Sequence, residues 1–320
     1  MSISPARLAV LALGPFGILA STYAICLSRY DPQAAAFAHQ VTEAETRGAK
    51  VHNARQTLLL DACHERSRKL QGQLPADFEI VCRAPFILAG DVPAERLAKL
   101  HEEAVLPLSR ALWRAFFDRK PDEPIVLVAL SDEARYIQVA HDLDGYDVAA
   151  YAAYYNRKER RIVLNLSHGT GTLAHELSHA LVQSDFPDMP EWFDEGLASL
   201  HEDTVYSADG LLLIPQPNWR SRILVDALRA DELPDLATLI RTQSFRGEGE
   251  GLNYACVRGL CLFLHQKGLL THFYRKFRTE CASDPTGLAT LREIVGATDD
   301  AALDQAFRRW VFQQTAAPAL

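Results

Sequence analysis

The stretch HELSHALVQSDFPDMPEWFDEG, His175 to Gly196, constrains this 320-residue chain more than any other. On an α-helix, residues four apart share one face, so His175 and His179 point the same way. Leu173, Leu177, Ala180 and Leu181 occupy the other side, placed to pack on a sheet. Pro187, Asp188 and Pro190 then make a turn, and a second helix from Glu191 presents Asp194 and Glu195. A solvated surface helix has no need of the histidines. A plain core helix does not tolerate the charges. The fold must therefore bury apolar residues around a polar seam that opens into a cleft.

The rest of the chain supplies the scaffold. FEIVC (78–82), FILAG (86–90) and PIVLVAL (124–130) are β-rich apolar runs that read as strands, and 92–117 has helical apolar spacing. Ser131 is placed as an N-cap, with Asp132 and Glu133 in the first turn. AAYAAYYN (149–156) and RIVLNL (161–166) read as two strands around a turn at 156–160, whose basic cluster is read as a solvated hairpin tip. Helices are predicted over 169–183 and 191–202, a short extended piece at LLLIP, and helix from Asn218 onward, with breaks at Pro234, at 247–251 and at Asp284-Pro285. The expected fold class is α+β. A lobe at 76–215 has a mixed sheet and carries the seam, and a mainly helical lobe at 216–320 completes the cleft. Residues 31–75 read as a helical linker or stalk.

Residues 1–30 stand apart. No charge falls between Leu8 and Ser28, a run long enough to cross a bilayer as a helix. It is read as a membrane anchor or a cleavable signal peptide, Thr22-Tyr23-Ala24 being a passable small-x-small site; a buried helix is the third alternative. The first two place the body of the protein outside the cytoplasm, either anchored to the membrane or exported. The formal charge of −8 and the scattered basic residues exclude an electrostatic footprint for nucleic acid. None of the six cysteines forms a CxxC. Cys63 and Cys82, flanking a short loop, are the expected disulfide couple in an oxidising compartment, while Cys256 and Cys261 read as buried thiols.

The seam has the spacing of metal chemistry. His175 and His179 can share one zinc ion, and Glu176, beside the first histidine, can reach a metal-activated water without being a ligand. Catalytic zinc takes a third protein ligand and leaves a position for water. Glu195 is the candidate, with Gly196 beside it allowing close helix packing.

HELSH followed by WFDEG resembles the gluzincins, the zinc metallopeptidases of the thermolysin and aminopeptidase N type. The resemblance covers about Tyr151 to Tyr254. It implies zinc held by His175, His179 and Glu195, Glu176 as the general base, and Asp194 and Glu202 as acidic partners behind the ligands. Asp194 stands where the aminopeptidases often have Asn, and the gap from His179 to Glu195 is slightly shorter than usual. The family also implies an oxyanion donor from the helical half. Tyr254 is best placed by spacing, and a half-buried packing tyrosine is the alternative; His265, near the end of the same helix, is the competitor. The strand before the zinc helix is either the sheet edge along which an extended peptide substrate lies or an ordinary core strand. The G-x-M-E-N motif of exopeptidases is absent, so cleavage of internal bonds is expected. Two other functions stay open: an idle member that binds a peptide or protein, against which the retained Glu176 argues, and a zinc hydrolase acting on a non-peptide bond.

Overall fold

The computed structural model describes residues 54–314, except 150, 169–170, 243–244, 246 and 248. Contacts divide the chain into two units, Met1–Asp61 and Ala62–Leu320. The uncharged run at 8–28 lies outside the described residues. Among those described, no helix is long and apolar enough to cross a membrane. All that follows concerns the second unit.

Helical residues 62–71 (α1) lead into strands β1 (Glu79–Arg83) and β2 (Phe86–Gly90). Then come helix α2 (Ala94–Leu100), continued by a π turn at His101–Val105 into α3 (Leu106–Ala115), strand β3 (Ile125–Leu130) and helix α4 (Glu133–Asp144). Strands β4 (Ala153–Asn156) and β5 (Arg161–Asn165) precede the two helices of the seam, α5 (Gly171–Asp185) and α6 (Glu191–Leu200). A small hairpin, β6 (Thr204–Tyr206) and β7 (Leu213–Pro215), separates these from six further helices. They are α7 (Trp219–Arg229), α8 (Leu236–Arg241), α9 (Glu250–Gln266), α10 (Leu270–Glu280), α11 (Leu288–Val295) and α12 (Asp300–Gln314). The fold is α+β with a mixed sheet.

The main sheet runs β1-β2-β3-β5-β4. β2, β3 and β5 are parallel, and β1 and β4 join antiparallel at the two edges. Every residue of β2, β3 and β5 is buried, as expected of strands covered on both faces. β4 is the last strand on its side. The Asn165 N–H donates to the Ala152 carbonyl at 2.9 Å, and Ala153 pairs with Leu164. Antiparallel pairing alternates, so Tyr154 turns its backbone groups toward β5, while Ala153 and Tyr155 turn theirs toward the open edge. The strand ahead of the seam is thus an edge strand.

α5 lies against β4 and β5 with Leu173, Leu177, Ala180 and Leu181 all buried, as its apolar spacing requires. α6 packs along α9, the most enclosed of the later helices. Gly196 makes that approach possible: a Cβ there would sit 2.8 Å from the Val257 carbonyl oxygen and 2.9 Å from Cys261 Sγ. Trp192 and Phe193 anchor the other end of α6 among Phe273, Tyr274 and Phe277 of α10. Asp185, at the end of α5, is buried under Tyr274 and Arg278 and accepts the backbone N–H groups of Asp118 and Arg119. Both helices of the seam are therefore clamped at a distance from their polar faces.

Some local expectations need correction. The N-cap of α4 is Asp132, which accepts from the Arg135 N–H at 2.9 Å. Ser131 instead binds Asp91 through its N–H and hydroxyl, because β2 ends beside β3. The basic cluster is not a solvated tip. Arg161 is buried on Asp144, Arg160 pairs with Glu123 and Arg157 with Asp194. α9 begins at Glu250, within the break expected at 247–251, and Tyr254 lies one turn inside it. Cys63 and Cys82 are neighbours but thiols: burial, then the hydrogen bond and proximity to Cys82, push the Cys63 thiol up to about 12. Cys256 and Cys261 are buried thiols.

Candidate metal centre

The polar faces of α5 and α6 meet as a cluster. One ligand atom from each of His175, His179 and Glu195 lies within 4.8 Å of the others. Glu195 Oε2 is 3.4 Å from His175 Nε2 and 3.7 Å from His179 Nε2. Donors bound at about 2.0–2.1 Å to a tetrahedral ion stand about 3.3 Å apart, so these three residues fit one metal ion. Asp194 does not join them. Consecutive helical residues diverge by about 100°, and Asp194 lies instead behind His179, its Oδ1 2.9 Å from Nδ1. Glu202, two turns beyond Glu195, accepts a hydrogen bond from His175 Nδ1 at 3.0 Å.

Each imidazole thus has one nitrogen on a carboxylate and the other in the cluster. Such a carboxylate fixes the tautomer and makes the opposite nitrogen a better ligand. Both carboxylates are held in turn by an arginine. Arg157, from the β4–β5 turn, reaches Asp194 at 3.1 Å, and Arg220, from the first turn of α7, pairs with Glu202. Sequence reasoning missed both arginines. Arg157 was absorbed into the basic cluster, and Arg220 carries no signal except its place just after the capping residue Asn218.

Electrostatics agree with a cation site. Burial opposes charge on His175, but hydrogen bonds to Glu195 and Glu202 outweigh it and lift the imidazole up to about 10. His179 is likewise raised, against its burial, by the charge of Asp194. A field that holds a proton so firmly also favours a metal ion, which competes with protons for the same nitrogens. Glu176 is buried beside the cluster, and loss of solvent raises its carboxyl above the usual range.

The cluster opens into a cavity of about 970 Å³. Its walls include Ala153, Tyr154 and Tyr155 of the open edge, the 145–148 segment, Trp219 and Arg220, and Glu250 and Tyr254 of α9. Glu176, Tyr254, Asp194 and Glu202 all face it with the three candidate ligands. His265 is not among the lining residues. The 145–148 segment is tied to the edge strand through Asp144, which accepts from Tyr154, Asn156 and the buried Arg161. No family model matches the sequence, and no match is found among curated proteins.

Proposed function

We propose that this protein is a zinc-dependent hydrolase of peptide bonds, built in the zincin manner and acting on internal bonds of an extended substrate. One observation carries the reading: a metal-competent cluster, a buried carboxylate beside it and the open backbone edge of β4 share one cavity. His175, His179 and Glu195 would hold the ion; two imidazoles and one carboxylate suit zinc. Bound zinc supplies Lewis acidity, which activates a water and polarises a carbonyl. Glu176 takes the proton of the attacking water on its carboxylate and delivers it to the departing nitrogen. Its raised proton affinity serves the first half of that task. Ala153 and Tyr155 offer outward N–H and C=O groups, with which an extended peptide can pair as an added strand. Tyr254 donates a hydrogen bond from its hydroxyl to the carbonyl oxygen as negative charge develops there. In this reading the run at 8–28 anchors or exports the protein and displays the domain outside the cytoplasm.

The decisive experiment compares wild type with Glu176→Gln on a peptide library, with metal content measured in parallel. We expect stoichiometric zinc in both and a loss of turnover of about 10²–10⁴-fold in the variant. Equal hydrolysis by the two proteins would remove Glu176 from the mechanism. Absence of peptide cleavage by zinc-loaded wild type would remove the peptidase reading.

A further inference from the structure

We infer that Arg220 is a positioning residue that ties the metal ligand His175 to Tyr254 through a single guanidinium. Its backbone is fixed first. Asn218 caps α7, its side chain accepting from the Arg220 N–H at 3.1 Å, with Ser221 closing a capping box. From there the side chain reaches into the cavity wall and makes two kinds of contact. One guanidinium nitrogen donates to Glu202 Oε2, while the other oxygen of Glu202 holds His175 Nδ1 at 3.0 Å. The guanidinium carbon also lies 5.7 Å from the centre of the Tyr254 ring and 4.4 Å from that of Trp219.

The arrangement requires arginine. A planar, permanently charged fork can bind a carboxylate along its edge while its face lies on aromatic rings; an ammonium has the charge but neither the plane nor the fork. Only 14% of the Arg220 side chain is exposed, so little solvent screens either contact. On one side the guanidinium holds Glu202 in place against His175, which strengthens His175 as a ligand. On the other it fixes the ring of Tyr254, a residue of the cavity wall. Arg157 is the natural control. It supports His179 through Asp194 in the same way, but it comes from the β4–β5 turn and is 42% exposed.

The role given to Tyr254 rests on the hydrolase reading, but the test uses two readouts that need no catalysis. The first is zinc affinity, by competition with a chromogenic chelator, in wild type, Arg220→Met, Arg220→Lys and Arg157→Met. We expect a roughly 10- to 100-fold loss in Arg220→Met and in Arg157→Met, and a smaller loss in Arg220→Lys, which keeps the charge. The second is the NMR spectrum of protein labelled at tyrosine Cζ, the Tyr254 line being assigned by its absence in Tyr254→Phe. That line should shift or broaden in Arg220→Met and in Arg220→Lys, and stay in place in Arg157→Met. Circular dichroism identifies any variant that fails to fold, and Arg220→Lys is the milder replacement that keeps the test open. Wild-type zinc affinity in Arg220→Met overturns the link to His175. An unmoved Tyr254 line in both Arg220 variants overturns the link to Tyr254. A protein that hydrolyses nothing would leave both expectations in force.

Discussion

Glu202 accepts a hydrogen bond from His175 Nδ1 at 3.0 Å, while Asp194, on the preceding helix, lies 2.9 Å from Nδ1 of His179. The two carboxylates stand behind the histidines, and only Glu195 stands in front of both Nε2 atoms. Adjacent acidic residues therefore have unequal parts. Glu195→Ala should nearly abolish zinc binding, and Asp194→Ala should weaken it about 10- to 100-fold. Competitive metal titration reads both, and the opposite order would reverse the assignment.

Tyr254 faces the cavity with Glu176 and the candidate ligands. If it donates to the developing oxyanion, Tyr254→Phe should lower kcat roughly 10²- to 10³-fold with little change in KM or zinc content. Steady-state kinetics at saturating zinc decides this. Near-wild-type turnover would reduce the tyrosine to a packing residue.

Gly196 has no room for a methyl group, since the carbonyl of Val257 and the sulfur of Cys261 occupy its place. Gly196→Ala must push α6 away from α9, and the backbone carbonyl cannot rotate aside. We expect a loss of about 1–3 kcal/mol, typical of overpacking, seen as a lower midpoint in chemical denaturation. Because Glu195 is the next residue, zinc affinity should fall as well. A variant as stable as wild type would mean that the two helices can separate freely.

His201 gives the fold an acid limit. Burial pushes its imidazole down to about 4, and its Nδ1 donates to the Leu197 carbonyl at 2.8 Å. The folded state resists a proton that the unfolded chain takes up near pH 6.5. Stability from this group is therefore complete above about pH 6.5, declines as pH falls through the window down to about 4, and is level below it. The span corresponds to about 3 kcal/mol. Denaturation at pH 7 and pH 4.5 should show a smaller difference in His201→Phe than in wild type; equal differences would remove His201 as the cause.

The sequence by itself determined the ligand face and most of the strands. Helical geometry leaves His175 and His179 no choice but to share a side, and short apolar runs bounded by turn residues, such as FILAG and the β-branched IVLVAL, read as buried strands. Tertiary structure decided what local patterns cannot encode. Whether Asp194 or Glu195 enters the cluster depends on the angle at which α6 meets α5, which is set far away by Gly196 against α9 and by Trp192 and Phe193 against α10. That β4 is an edge strand depends on strand order, and AAYAAYY reads the same in either place. Arg157 and Arg220 look like ordinary surface charges until residues 37 and 18 positions away bring carboxylates to them. Spacing within one helix is local and survives in the sequence. The partners of a buried charge come from long-range packing, and only the assembled fold puts them within reach.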